Sequence, residues 1–237
     1  MNPVVHIYPS KTEAASAFAQ TLSEQIAAKE GDFHLALSGG STPKLLFTLL
    51  AENYRNEIPW AKVHLWWGDE RCVPPEHEES NYRMTQEFLL FSINIPKGNI
   101  HRVRGEDQPE QEAIRYGEEI KAHLERKNDL PVFDMIMLGM GSDGHTASIF
   151  PDNMSLIDSP HTCAVAIHPD SGQKRVTLTG KVINQAKEVA FLVTGASKKE
   201  KVQAILGNEE GSKAYPAAHI QPVDGKLSWY LDEAAAP

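Results

Sequence analysis

Short apolar runs alternate along this chain with stretches of helical spacing, and this alternation limits the fold more than any other feature. The runs have the length of strands and end at turn residues, which predicts strands at 33–37, 63–67, 133–138, 162–168, 188–194 and 227–231. Helical spacing predicts helices over 11–29, 81–90, 110–127, 181–187 and 197–206. A further helix follows Thr42-Pro43, where Thr42 is the predicted cap. The alternation predicts an α/β fold: one doubly wound, mainly parallel sheet of Rossmann-like type with helices on both faces.

The composition is typical of a globular protein, and we expect a single domain over residues 1–237. Hydrophobic residues make up 41% of the 237 residues, and we find neither an internal repeat nor a linker. The net charge of −9 disfavours binding to nucleic acid or to anionic membranes. No apolar run approaches the ~18 residues of a membrane span, and the N-terminus lacks the pattern of a signal peptide. We therefore expect a cytoplasmic monomer or small homo-oligomer.

A glycine-rich loop, SGGST at 38–42, follows the first of these predicted strands. In doubly wound sheets, ligands bind beyond the carboxyl ends of the strands. Glycines allow the backbone N–H groups to approach an anion closely, and the N-terminus of the following helix favours negative charge. The loop is neither a Walker loop nor GxGxxG, so no nucleotide is implied. Two interpretations stay open at this point: an anion site, or a strand-to-helix turn with a capping hydroxyl.

Charged side chains follow two other predicted strands. Asp69, Glu70 and Arg71 come directly after 63–67, and Lys198 follows 188–194. Arg71 could contact a ligand anion or a developing oxyanion, or it could form a surface ion pair. Arg175 and Lys198 carry the same two interpretations. Lys198 lies near a predicted helix start, where its charge opposes the helix dipole unless an anion lies between them.

The stretch GMGSDGHTAS at 139–148 supplies the strongest candidate for catalysis. Histidine is the usual general base because its unperturbed pKa lies near neutrality. We predict that His145 lies at a helix N-terminus and that Asp143 orients it. The alternative is a histidine that caps or packs in a loop. Ser142 and Ser148 are nearby hydroxyls, but GxSxG is absent and no catalytic triad can be assigned from residue order.

The sequence predicts no metal and no organic cofactor. HExxH and paired CxxC motifs are absent, and His161-Thr162-Cys163 offers too few ligands for a metal site. Cys72 and Cys163 are the only cysteines, which is too few for a disulfide framework. We expect Trp66, Trp67 and Trp229 to lie in the core rather than to form a stacking surface.

Taken in order, these motifs resemble those of the 6-phosphogluconolactonases, within a wider group that includes glucosamine-6-phosphate deaminases and ribose-5-phosphate isomerases. The matching blocks are SGGSTP (38–43), WGDER (67–71), SNYR (80–83), GMGSDGHTASIFP (139–151), RVTLT (175–179), GASK (195–198), PAA (216–218) and WYLDEAA (229–235). Ser142 departs from a frequent proline, and His219 from an expected aliphatic residue. The continuation after His145 resembles that of the lactonases, whereas the deaminases continue toward Asn-Glu-Pro and use that glutamate in ring opening.

The resemblance implies hydrolysis of 6-phospho-D-glucono-1,5-lactone to 6-phosphogluconate, the second step of the oxidative pentose phosphate pathway, without a cofactor. It implies that His145 activates water, that Asp143 orients His145, and that Arg71 stabilises the oxyanion. The residues that it implies for binding the substrate and its phosphate are Gly39, Gly40, Ser41, Thr42, Asp69, Arg175 and Lys198. Two alternatives remain: a glucosamine-6-phosphate deaminase-type isomerase and a non-catalytic sugar-phosphate sensor.

Overall fold

The computed structural model describes residues 3–237 and contains an α/β fold. Its strands are β1 (Val4–Tyr8), β2 (Phe33–Leu37), β3 (Val63–Trp67), β4 (Asp69–Arg71), β5 (Arg126–Lys127), β6 (Leu130–Pro131), β7 (Met135–Leu138), β8 (Cys163–Ile167), β9 (Lys174–Leu178), β10 (Glu188–Val193) and β11 (Lys226–Asp232). Its α-helices are α1 (Lys11–Ala28), α2 (Ser41–Asn53), α3 (Asn81–Phe88), α4 (Pro109–His123), α5 (Gly180–Ile183) and α6 (Lys199–Leu206). Short 3₁₀ turns fill several of the connections.

A six-stranded parallel sheet forms the centre of the fold, as the alternation predicted. Its strand order is β1-β11-β10-β7-β2-β3, and every neighbouring pair runs parallel. From β2 the chain continues outward to β3, whereas from β7 it continues in the opposite direction to β10 and β11. The order therefore reverses between β2 and β7, and a crevice is expected at their carboxyl ends.

Helices cover both faces of this sheet, which confirms the predicted class. Paired residues of neighbouring parallel strands share a face, so the register places Trp66 and Trp229 on one face and Tyr230 on the other. Helix α1 packs on the Tyr230 face through Phe18, whose ring centroid lies 5.0 Å from that of Tyr230. Helix α4 packs on the opposite face through Tyr116, 6.0 Å from Trp66.

The tryptophans predicted for the core are buried. Trp66, Trp67 and Trp229 are each at most 1% exposed, and Trp229 stacks on Phe191 with 4.1 Å between ring centroids. The buried apolar side chains of both layers form one cluster that includes all three tryptophans. The single-domain organisation over 1–237 stays a prediction, and one shared core is what such a domain requires.

The predicted strand 162–168 exists as β8, but it lies outside the parallel sheet. It belongs to a three-stranded antiparallel sheet of order β4-β9-β8. A tight turn joins β8 to β9, where the His168 N–H donates to the Gln173 carbonyl over 2.9 Å. A turn of this length permits only antiparallel pairing, because a parallel pair needs a long crossover.

Helix α4 and the helix predicted over 181–187 end earlier than expected, because the backbone of the residues that follow them hydrogen-bonds to other segments. Helix α4 ends at His123 rather than 127, since the chain enters the β5–β6 hairpin, whose turn residues Asn128 and Asp129 have positive φ. The predicted helix 181–187 is confined to α5, and the Lys187 N–H instead donates to the Phe133 carbonyl.

The first strand of the structure was absent from the sequence prediction. Strand β1 pairs with β11 at the edge of the parallel sheet. Val4 and Ile7 are exposed there, so the run lacks the burial contrast that marks a central strand.

A cluster of four histidines lies around Trp66 on the face covered by α4. The Trp66 indole donates to His34 Nδ1 over 3.2 Å, and the rings of His34 and His64 lie 4.8 Å apart. His64 and His101 share a hydrogen bond of 2.9 Å, and the ring of His123 lies 4.6 Å from that of His101. Burial, reinforced by the nearby His64 ring, lowers the pKa of His34 to about 4.

We expect acid to destabilise the fold through this cluster. The free energy of unfolding should fall as the pH drops from 6.5 towards 4, because the unfolded chain binds a proton that folded His34 does not. His34→Gln should make that decrease smaller by roughly 1–2 kcal/mol. This is the lower part of the range that the pKa shift of His34 allows, because solvent partly screens the side chain. Urea unfolding between pH 4.5 and 7.5 measures it, with exposed His161→Gln as the control. Parallel curves for His34→Gln and the wild type would contradict the expectation.

Candidate active site

A cleft of about 480 Å³ lies at the carboxyl ends of the parallel strands, where the strand order reverses. Its walls come from the loops after β2, β7 and β10, and from strands β4 and β9 of the small sheet. The predicted site residues that line it are Gly39, Gly40, Ser41, Thr42, Asp69, Arg71, His145, Arg175 and Lys198. Asp143 lies behind this surface and contacts His145. The structure thus brings all the predicted residues together.

The N-terminus of α2 forms one end of the cleft. Gly40 is the N-cap residue, with a φ of +111° that favours glycine, and it has no side chain to bond the first-turn N–H groups. The first-turn N–H groups of Ser41 and Thr42 have no helical carbonyl to which they could donate. They therefore point their positive dipole into a cleft that Ser41 and Thr42 themselves line.

Thr42 is not the helix cap that the sequence suggested. It is the second residue of α2, and its hydroxyl shares a 2.9 Å hydrogen bond with the Thr194 hydroxyl after β10. Gly40 is the cap residue instead, because its positive φ turns the chain into the helix two residues before Thr42. The Thr42–Thr194 bond joins the start of α2 to the residue that follows β10.

His145 lies in a tight loop rather than at the predicted helix N-terminus. The Gly141 N–H donates to the His145 carbonyl over 2.9 Å, and Thr146 and Ile149 form a short bridge. Ala147 has a φ of 47° between them, in the left-handed region that side chains seldom adopt. Backbone bonds of this loop, instead of helical ones, fix the position of the imidazole.

Asp143 fixes the orientation and the tautomer of His145. Its Oδ1 lies 2.7 Å from His145 Nδ1 and also accepts the His145 backbone N–H over 3.1 Å. Burial raises the pKa of Asp143, but the His145 hydrogen bonds outweigh it and bring the pKa down to about 2. An ionised carboxylate only accepts hydrogen bonds, so Nδ1 carries the proton. In the neutral imidazole, Nε2 then has the free lone pair, as a general base requires.

Gly141 leaves room for this pair. A Cβ at position 141 would overlap both the His145 imidazole and the Asp143 carboxylate. Gly144, with a φ of +85°, is similarly closed in, since its Cβ would lie 2.6 Å from Tyr215 Cβ. The glycines of this loop thus serve close packing as well as turning.

Two arginines face each other across the β4–β9 pair. Arg71 and Arg175 are direct antiparallel partners, and both line the cleft. Directly opposed like charges are destabilising in a sheet. Arg71 Nη1 donates to the Glu79 carbonyl over 2.6 Å, but its buried Nε–H has no partner among residues 3–237. This pair of guanidiniums is therefore suited to an anionic ligand.

Asp69 is held beside these arginines by a buried serine. The Ser148 hydroxyl, 0% exposed, donates to Asp69 Oδ2 over 2.6 Å. A hydroxyl that is buried and engaged in this way is not available as a nucleophile. Of the two serines considered from the sequence, Ser142 is exposed and does not line the cleft.

Lys198 occupies the wall formed after β10. Burial lowers its pKa, and the negative charge of Asp143 partly opposes this effect. Its ammonium group lies in the same cleft as the start of α2, as expected for a pair that encloses an anion.

Several residues that line the cleft had not been assigned from the sequence. They are Ser38, Pro43, Asn81, Gly139, Met140, Gly141, Ala147, Leu192, Val193, Thr194 and Ser197. Asn81 belongs to the SNYR block, which was the available signal, but its side-chain contact with Gly39 depends on tertiary packing. The two departures from the family pattern lie off the cleft: Ser142 is exposed, and His219 Nε2 pairs with the Lys213 carbonyl over 2.7 Å.

Within residues 3–237, no three His, Cys, Asp or Glu side chains are grouped so that they could hold a metal ion. The same part of the chain has no helix of the length and apolar character that crossing a bilayer requires.

Known proteins resemble this chain over most of its length. Residues 9–229 match the family described as glucosamine-6-phosphate isomerases/6-phosphogluconolactonase. The 6-phosphogluconolactonase of Haemophilus influenzae is 48% identical over 203 residues, which cover 85% of either chain. The crystal structure of devB protein has a TM-score of 0.94 and 42% identity, covering 98% of this chain and 97% of that one. The 6-phosphogluconolactonase from Trypanosoma brucei has a TM-score of 0.88 and 31% identity, covering 99% and 97%.

The contact between His145 and Asp143 predicts that the pKa of Asp143 depends on the imidazole. Removing the imidazole by His145→Ala should raise the pKa of Asp143 from about 2 towards the usual aspartate value of 3.8. Carboxyl ¹³C chemical shifts measure it: the Asp143 signal should begin to titrate at a higher pH in the variant than in the wild type. His161→Ala, which removes an exposed histidine, should leave this signal unchanged. Identical Asp143 titrations in His145→Ala and the wild type would mean that the pair does not form.

Proposed function

The chain belongs to the family of glucosamine-6-phosphate isomerases and 6-phosphogluconolactonases, and we propose that it opens its lactone substrate with His145 as the general base. The enzyme is a 6-phosphogluconolactonase, a carboxylic ester hydrolase of the pentose phosphate pathway. Its proposed substrate is 6-phospho-D-glucono-1,5-lactone. One observation carries the mechanism: the start of α2 and the imidazole of His145 line a single cleft.

The phosphate of the substrate binds at the α2 end of this cleft. Gly39, Gly40, Ser41 and Thr42 surround it with backbone N–H groups, and Lys198 supplies a positive charge. Arg175 provides a second cation from β9. Fixing the phosphate in this way holds the lactone carbonyl near His145. The carbonyl and the imidazole are then already close together before the reaction starts, which lowers its entropic cost.

Hydrolysis then proceeds by attack of water on the carbonyl carbon. His145 Nε2 takes one proton from the water as its oxygen bonds to that carbon, and Asp143 stabilises the imidazolium that forms. The carbonyl oxygen becomes an oxyanion, to which the guanidinium of Arg71 donates from the wall of the cleft. As the oxyanion collapses, the ring C–O bond breaks, and the imidazolium returns the proton to the ring oxygen. The new carboxyl group keeps the second proton of the water and ionises to solvent, so the products are 6-phosphogluconate, a released proton and the resting enzyme.

Water is the proposed nucleophile because no hydroxyl is placed to replace it. The hydrogen bonds of the His145 side chain within residues 3–237 go only to Asp143. Ser148 is committed to Asp69. Asp69, held in this way beside Arg175, is proposed to bind the sugar hydroxyls rather than to act on the carbonyl.

Acid release tests the proposal directly. The lactone, generated by glucose-6-phosphate dehydrogenase, is given to the purified protein, and acid release is compared with spontaneous opening. A rate no higher than the background would end the proposal. The same preparation with glucosamine 6-phosphate tests the deaminase alternative by ammonia release, and sugar-phosphate binding without any turnover would indicate a sensor. The cytoplasmic location and the monomer or small homo-oligomer likewise stay proposals.

We expect His145→Ala to lower kcat by roughly 100-fold or more, as is usual when a general base is lost. The KM should change little, because the phosphate contacts remain. Steady-state kinetics, corrected for spontaneous lactone opening, measure both constants, and His161→Ala serves as the control. A variant that hydrolyses the lactone at the parent rate would remove His145 from the mechanism.

Lys198→Ala should mainly raise KM, by about 10-fold or more, because a charge-assisted hydrogen bond to the phosphate is lost. The kcat should fall much less, since Lys198 is not assigned to the reacting carbonyl. Lys199→Ala is the matched control: it removes the neighbouring charge from an exposed position outside the cleft. An unchanged KM in Lys198→Ala would place the phosphate elsewhere.

A further inference from the structure

Glu70 is a buried carboxylate that the proposed mechanism does not use. It lies on β4 between Asp69 and Arg71, and strand alternation turns it away from the cleft that these two neighbours line. Glu70 is only 2% exposed. A carboxylate so deeply buried is costly unless its oxygens are fully hydrogen-bonded.

The donors to Glu70 come from two segments of the chain. Oε1 accepts the backbone N–H groups of Arg71 and Asn81, each over 2.8 Å. Oε2 accepts the Tyr82 N–H over 2.8 Å and the Ser80 hydroxyl over 3.2 Å. Asn81 and Tyr82 open helix α3, whose N-terminus also favours a negative charge. Glu70 therefore joins β4 to the first turn of α3.

The segment that Glu70 holds contacts the cleft at two points. The Glu79 carbonyl accepts from Arg71 Nη1 over 2.6 Å, which fixes one end of the guanidinium. The Asn81 side chain donates to the Asp69 carbonyl over 3.0 Å and packs so closely on Gly39 that a Cβ there would overlap it. Both contacts depend on where residues 79–82 lie.

From this geometry we propose that Glu70 is a positioning residue for the hydrolysis, acting through Arg71 and Asn81. The inference rests on the proposed function, because it assigns Arg71 to the oxyanion. By holding residues 79–82 against β4, Glu70 sets the guanidinium where the carbonyl oxygen develops its charge. It also keeps Asn81 against Gly39, in the loop proposed to bind the phosphate.

Hydrogen-bond acceptance at both Glu70 oxygens, and not only the size of the side chain, is required. Both of its oxygens accept backbone N–H groups. A glutamine at this position would turn one oxygen into an N–H₂ donor, which would meet at least one backbone donor in either orientation. Burial favours the neutral acid and raises the pKa of Glu70 to about 7, against the three backbone N–H groups that favour the anion.

The test compares Glu70→Gln with a second buried glutamate that lies away from the cleft. Glu112 is also 2% exposed, accepts the Arg104 N–H over 2.7 Å and pairs with Arg115. Both glutamine variants should lose thermal stability. Only Glu70→Gln should lower kcat, by about 10- to 100-fold per folded molecule, because a small displacement of the oxyanion donor is costly. If Glu70→Gln does not fold, Glu70→Asp keeps the charge with a shorter reach, and a smaller kcat loss is expected.

A double-mutant cycle separates positioning from general destabilisation. In an Arg71→Met background, Glu70→Gln should lower kcat by less than threefold, because the guanidinium that it positions is already gone. Multiplicative losses in the cycle, or equal kcat values for Glu70→Gln and Glu112→Gln, would overturn the inference while wild-type lactonase activity upheld the proposed function. A wild-type protein without that activity would overturn both.

Discussion

The parallel pairing of β2 with β7 is the interaction on which the site depends. Its register sets Leu35 beside Met135 and Ala36 beside Ile136, so the two strands end side by side. The chain then leaves β2 through the glycine-rich loop at 38–42 and β7 through the loop that carries His145, and both loops line the cleft. A slip of β7 by one residue against β2 would turn the buried side chains of β7 to the other face. The distance between the glycine-rich loop at 38–42 and the imidazole of His145 is thus set by core packing as well as by the loops themselves.

The small antiparallel sheet adds the cations that the parallel sheet does not supply. Gly68 links the two sheets: its N–H donates to the Leu37 carbonyl, and its carbonyl accepts the Leu178 N–H, each over 2.8 Å. This connection turns β4 towards β9 and places Arg71 opposite Arg175. In the part of the chain that the structure describes, the arginine ion pairs involve Arg83, Arg102 and Arg115 instead. The two cleft guanidiniums therefore keep their charge available for a ligand.

The sequence was informative where the signal was local and less so where it was tertiary. The apolar runs at 33–37 and 63–67 predicted β2 and β3 with their exact bounds, because both strands are buried on both faces, although β3 lies at the edge of the sheet. Edge strand β1 lacks that contrast, and β9 alternates Arg175 and Thr177 with apolar residues, a pattern that was noted only as a motif. Most of the site residues could be named because they follow a predicted strand, whereas Arg175 was named from the RVTLT motif. The Glu70 and Asn81 contacts could not, since they join residues 79–82 to β4 and to Gly39 only after folding.

The directions of the two carboxylate pKa shifts follow from the donors that each carboxylate meets. Asp143 receives the His145 side chain and backbone N–H, and at 43% side-chain exposure it is still partly hydrated, so its pKa falls. Glu70 receives only neutral donors and lies beside Asp69 in a nearly closed space, so its pKa rises. Asp143 is therefore suited to stabilise a positive charge on His145, whereas Glu70 is suited only to hold backbone N–H groups in place. This difference in surroundings, more than the residue types, separates the roles proposed for Asp143 and Glu70.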